Sequence, residues 1–160
     1  MKGDQKVIEY LNRALRSELT AIHQYTLNAR LLEHWGLNKL SAKQEMEARE
    51  EMGHADRLMR RILFLDGWPN MQDLDTVRIG KNVKEILEND LAAESEAIAL
   101  YREAMGHCES VRDYPSRELF GTLLTDEEGH YDFLDTQLEL INRIGIQNYE
   151  QSGMGDAPAE

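Results

Sequence analysis

At 160 residues the chain is long enough for one domain that buries roughly two-thirds of its unfolded surface, and nothing in it suggests two. Its 18 basic against 30 acidic residues suit cation attraction and oppose a nucleic-acid or anionic-membrane partner. The single cysteine, Cys108, excludes an internal disulfide and a Cys-x-x-Cys metal site, and no apolar leader or membrane-length run is visible, so a cytoplasmic protein is expected.

Helical periodicity runs almost from end to end. A first helix is predicted from about Asp4 to His34, with Val7, Ile8, Leu11, Leu15, Ile22 and Ala29 on one face and Gly36 as its stop. A second begins near Ser41, where Ser41 and Gln44 read as a capping box, and ends at Asp66-Gly67-Trp68-Pro69. The third opens at Asn82 with Glu85 three residues on and runs to about Ser110, and the fourth follows Asp113-Tyr114-Pro115 and ends at Gly145. Ile146 to Gln151 adds a short fifth helix, so that 1–151 forms the folded unit and 152–160 a polar, disordered tail.

The connections set the topology. Helices of about 27–30 residues are roughly 40–45 Å long, and a link of a few residues forces the first and second, like the third and fourth, to be antiparallel. Gly67 to Lys81 is long enough, at about 50 Å extended, to return along the whole bundle. The expected fold is an all-α four-helix bundle with one long crossover.

Two residue triads stand out. Glu18 with Glu51-x-x-His54 recurs, 76 residues later, as Glu94 with Glu127-x-x-His130. With five histidines in the chain, that match is on the order of a one-in-a-thousand coincidence. The repeat extends to Leu11, Leu15, Ile22 and Tyr25, which recur as Leu87, Leu91, Ile98 and Tyr101. On the second and fourth helices the triad residues share the inward stripe with leucines and isoleucines. Four unpaired carboxylates in an apolar interior cost several kcal/mol per ion, so a cation must be there. Two divalent metals fit: four glutamates neutralise +4, and two imidazoles favour iron or manganese over magnesium or calcium. A glutamate from each of two helices and Glu-x-x-His from each of two others is the established donor set of dinuclear carboxylate bundles, so the assignment is a match to a known site type. Symmetry makes Glu51 and Glu127 the bridges, Glu18 and Glu94 the caps, and His54 and His130 the completing ligands. Tyr25, two turns after Glu18, approaches the metals either as an electron donor or as a hydrogen-bond donor to a carboxylate, and Tyr101 has the same two readings. Asp90, one turn before Glu94, is expected to orient a liganding histidine.

Over practically its full length the chain resembles the bacterioferritins, the haem-containing branch of the ferritins. The resemblance is carried by Met1-Lys2-Gly3-Asp4, Ser17-Glu18-Leu19-Thr20-Ala21-Ile22, Glu50-Glu51-Met52-Gly53-His54-Ala55-Asp56, Arg61-Ile62-Leu63-Phe64-Leu65 and Asp126-Glu127-Glu128-Gly129-His130. It implies a 24-subunit shell built from dimers, storing ferric mineral. It also implies two Fe ions per subunit at a ferroxidase site using O2 or H2O2, and a b-type haem shared between two subunits through Met52. A ferredoxin-type reductant for iron release is implied in the same way. The competing reading is a small di-iron or di-manganese oxidase or peroxide-reducing enzyme without a storage role.

Overall fold

The computed structural model describes residues 1–155, which form five helices and, among those residues, no strand. Helices α1 (Gln5–His34) and α2 (Asn38–Phe64) make one hairpin, α3 (Val83–Ser110) and α4 (Tyr114–Ile144) a second, and α5 (Ile146–Ser152) follows. The expected all-α bundle with its short fifth helix is what forms.

Local chemistry explains most helix ends. The side chains of Asp4, Asn82 and Asp113 accept from Val7 N, Glu85 N and Ser116 N at 3.0, 2.9 and 3.0 Å, capping α1, α3 and α4. Helix α1 closes in a Schellman motif, with Gly36 at φ +81° and Leu37 N donating to Leu32 O at 2.8 Å. The repeat-related hairpin turn has Arg112 at φ 62° in the same role, with Asp113 N on Cys108 O at 2.9 Å.

Two positions differ from expectation. Helix α2 starts at Asn38, one turn before the Ser41-Gln44 box, and its N-cap Leu37 makes no side-chain cap bond. The carbonyls of Met154 and Gly153 accept from Asn38 N and Lys39 N at 3.0 and 3.1 Å instead, so the chain's own C-terminal segment caps this helix. Ser41 and Gln44 are drawn into the interior, where they bond Ala29 O and Asp90. Of the segment expected as a disordered tail, Ser152 ends α5 and Gly153 is buried against Leu40, while 156–160 lie outside the described residues.

The crossover between Phe64 and Val83 is pinned along one face of α1. Asn12 and Arg16 donate to the carbonyls of Trp68 and Leu74, and Thr20 and Gln24 accept from Asp75 N and Arg78 N. These four residues are spaced one turn apart, a polar stripe opposite the core stripe. The core itself is in two parts. One cluster centres on Leu11, Leu15, Leu58, Ile62, Tyr101 and Phe120, the other on Leu32, Ile86, Leu87, Leu134, Ile141 and Tyr149. The carboxylates lie between them.

Candidate metal centre

Each of the four long helices sends one glutamate into the gap between the two apolar clusters: Glu18 from α1, Glu51 from α2, Glu94 from α3 and Glu127 from α4. All are at most 2% exposed. His54 and His130, one turn beyond Glu51 and Glu127, enter the same layer. The side chains fall into two groups whose donor atoms lie within 4.8 Å of one another: Glu18, Glu51, His54 and Glu127, and Glu51, Glu94, Glu127 and His130. Glu51 and Glu127 belong to both, which is the geometry of a pair of bridges.

Each of the six residues also leaves one buried donor atom without a hydrogen-bond partner among the described residues: Glu18 Oε2, Glu51 Oε1, Glu94 Oε2, Glu127 Oε1, His54 Nδ1 and His130 Nδ1. Buried polar atoms are rarely left so, and these six belong to the same six side chains that form the two donor groups, as candidate metal ligands do. The other atoms of these groups are used to aim them. Tyr25 donates its hydroxyl to Glu94 Oε1 and Tyr101 donates to Glu18 Oε1, which fixes each carboxylate beside the imidazole of its group. His54 Nε2 lies 2.9 Å from Asp126, and His130 Nε2 lies 2.9 Å from Glu50 and 2.7 Å from Glu47. A ring that gives its Nε2 proton to a carboxylate presents the Nδ1 lone pair, the form a metal binds.

Without a cation these groups restrain one another by holding protons. Burial, reinforced by Glu18, pushes Glu51 well above the usual carboxylate range; burial and Glu127 do the same to Glu94. Burial also disfavours charge on Glu127, but the neighbouring Glu94, His130 and His54 outweigh it and hold that carboxyl low. For His54, burial opposes the imidazolium, yet Glu127 and Glu18 push it up to about 10. His130 is raised further in the same sense, by Glu127, Glu47 and Glu94 against its burial. A cluster that grips protons this tightly is one that a divalent cation displaces them from.

A cavity of about 330 Å³ reaches the four glutamates from the outer side, between α1 and α3 and under Asp75, Thr76 and Arg78 of the crossover. On the flank of the α1–α2 hairpin a second cavity, of about 340 Å³, is lined by Thr26, Ala29, Ala48, Arg49 and Met52, and the Met52 side chain is 56% exposed. Met46 is exposed and Glu50 is engaged with His130.

The structure thus brings together all six predicted ligands and Tyr25, and leaves Met52 apart on the flank. It corrects the role of Asp90. That carboxylate touches no histidine; Gln24 and Asn28 donate to Oδ1 at 2.8 and 2.9 Å and Gln44 donates to Oδ2 at 2.9 Å. The carboxylates that do orient the histidines, Glu50 and Asp126, emerge only from the fold. The sequence does carry a signal for them: they too are 76 residues apart, and each directly precedes a glutamate that belongs to both donor groups.

Residues 8–144 match the family model described as the ferritin-like domain. The chain is 57% identical over 149 residues to the bacterioferritin of Rhodobacter capsulatus, covering 93% of this chain and 92% of that protein. It is 51% identical over 160 residues to the bacterioferritin of Brucella melitensis biotype 1, covering 100% of this chain and 98% of the relative. With a bacterial ferritin of Synechocystis it shares 45% identity over 155 residues, 96% of this chain and 99% of that one.

Proposed function

Because the chain belongs to the ferritin family, in its bacterioferritin branch, we propose that it is an iron-storage protein whose subunits are ferroxidases, each oxidising Fe2+ at one dinuclear site and passing ferric iron to a mineral inside a 24-subunit shell. The observation that carries this reading is the pair of donor groups that share Glu51 and Glu127, formed by six buried residues, Glu18, Glu51, His54, Glu94, Glu127 and His130, each with one donor atom that has no hydrogen-bond partner among the described residues. The small di-iron or di-manganese enzyme without storage is set aside by the family.

Two Fe2+ are the substrate. Glu18 and His54 hold one, Glu94 and His130 the other, and Glu51 and Glu127 span both. Four carboxylates balance two ferrous ions, so loading buries no net charge. Each iron gives up one electron: two electrons and two protons convert O2 to H2O2, or H2O2 to two waters. Tyr25 and Tyr101 position the capping carboxylates, and Asp126, Glu47 and Glu50 hold the imidazoles with Nδ1 facing the iron. The outer cavity under Asp75 and Thr76 supports access from outside.

The residues around Met52 fit a haem. The thioether is accessible and Ala29 and Ala48 are small, while Thr26, Arg49 and the Arg30–Glu45 ion pair also line the cavity, so a haem there would meet charged as well as apolar side chains. One Met52 from each of two subunits would hold a b-type haem, which supplies one-electron transfer when bound. A ferredoxin-type protein is the reductant this reading calls for. Among the described residues no helix is long and apolar enough to cross a membrane; a cytoplasmic shell is part of the proposal and rests on the family. Native mass and rapid-phase iron stoichiometry, measured on one preparation, test the proposal. A shell of 24 × 18.5 kDa, about 440 kDa, with two Fe2+ per subunit supports it; a dimer with the same stoichiometry restores the small-enzyme reading.

A further inference from the structure

The six proposed ligands obey the 76-residue repeat, but their surroundings do not. Beside the Glu94–His130 half lie five buried polar residues: Asp90, Gln24, Asn28 and Gln44, hydrogen-bonded in one network across α1, α2 and α3, and Glu47, which meets His130 and Lys43. The positions equivalent to them beside the Glu18–His54 half are Ala14, Leu100, Ala104, Phe120 and Leu123, all in the first apolar cluster or packed against it. The repeat has therefore been broken at five neighbouring places, always in the same direction. Two of the five changes add a carboxyl group. Asp90 is fully buried one turn from Glu94, with only amide donors as hydrogen-bond partners, and Glu47 is 6% exposed with Oε2 at 2.7 Å from His130 Nε2. Asn28 Oδ1, at the centre of the network, is left without a hydrogen-bond partner among the described residues. The Glu18–His54 half has Ala14 and Leu123 at the positions of these two carboxyl groups, and its histidine lies 2.9 Å from Asp126, the counterpart of Glu50, with Glu50 itself in the same donor group.

We infer that the two metal positions are built unequal: Asp90 and Glu47 act as positioning residues that make the Glu94–His130 position the one a divalent cation fills first and holds more tightly. The inference rests on the dinuclear reading above. Its physics is Coulombic, since carboxylates in a dry network act on a nearby ion at a low effective dielectric. The amides matter as well: three N–H groups on Asp90 fix its charge in place, and Gln24 ties the same network to the crossover through Arg78 N.

Co2+ binding to the full-length, metal-free protein tests this, followed at pH 8 by d–d absorption and independent of any oxidation. Glu18→Ala leaves the Glu94–His130 position intact, and Glu94→Ala leaves the other. The first variant should bind its remaining Co2+ at least tenfold more tightly than the second. Adding Asp90→Asn or, separately, Glu47→Gln should weaken binding about tenfold in the Glu18→Ala protein and less than about twofold in the Glu94→Ala protein. Glu47→Gln keeps a carbonyl for His130 and serves where Asp90→Asn disturbs folding. Equal affinities in the two backgrounds, or equal effects of the added variants on both, would overturn the inference while leaving two Co2+ per wild-type subunit and the dinuclear reading in place. A wild-type subunit that binds fewer than two Co2+ removes both.

Discussion

Glu51 and Glu94 share burial and charge, yet only Glu51 lies within reach of both metal positions. Glu51→Ala should therefore lose both ions together, whereas Glu18→Ala or Glu94→Ala should lose chiefly one; counting bound Co2+ per subunit reads the difference. All three should abolish fast oxidation, because one iron cannot deliver two electrons, and rapid oxygen-dependent oxidation surviving in Glu51→Ala would sink the dinuclear assignment. Asp90 carries a separate pH signature. Burial, aided by Glu47 and resisted by hydrogen bonds from Gln24, Gln44 and Asn28, raises it from 3.8 to about 7. The unfolded chain then binds fewer protons between those values, so stability present at the acid end is lost as pH rises to about 7. Asp90→Asn should flatten this part of the profile, with a relative gain above pH 7 on the order of 4 kcal/mol, less whatever is lost in rearranged amide bonds. Thermal melts of the metal-free protein from pH 5 to 8 measure it.

At the scale of elements the two hairpins are variations on one design, and their turns differ in a way that can be tested. Gly36 and Arg112 occupy equivalent left-handed positions, at φ +81° and 62°, and only glycine adopts that conformation without strain. Arg112→Gly should raise the metal-free protein's stability by about 0.5–1 kcal/mol, and Gly36→Ala should lower it by about 1 kcal/mol, both read from urea midpoints. Such local features are what the sequence discloses well. The caps at Asp4, Asn82 and Asp113, the stops at Gly36 and Gly145, and the inward stripes all follow from residues a turn or so apart. Sequence and structure part where a local signal is claimed by a distant partner. Ser41 and Gln44 have the spacing of a cap, but Ala29 O and Asp90 lie within their reach once the helices pack, while Gly153 and Met154 return to cap α2 from the other end of the chain. Asp90 departs from expectation for the same reason: it does sit on the inward stripe, but three amides on α1 and α2 reach it before any imidazole does. The six ligands are legible because the repeat itself is a long-range signal written in one dimension.

Taken as a whole molecule, the single chain leaves apolar surface that a partner must cover. Met52 is 56% exposed, Leu63 and Phe64 farther along α2 are 55% and 53% exposed, and Trp68 and Ile79 on the crossover are 85% and 65% exposed. Residues of this kind on α2 and the crossover are what a shell buries at its contacts. Met52 provides the decisive test, because the proposed shell and the proposed haem would make separate demands on it. Its side chain faces away from the buried glutamates, one residue and about 100° around the helix from Glu51, so replacing it leaves the metal centre untouched. Leucine nearly matches methionine in volume, and the exchange should alter packing by less than about 1.5 kcal/mol. Met52→Leu should therefore still assemble at about 440 kDa and still bind two Co2+ per subunit, but lose the visible bands of a haem held by two thioethers. Size-exclusion chromatography with light scattering follows the first property and absorbance the last. Haem retained in the variant would move the ligand elsewhere, with His23 on the neighbouring face of α1 the first residue to test. A variant that falls to dimers would instead make Met52 a structural contact of the shell.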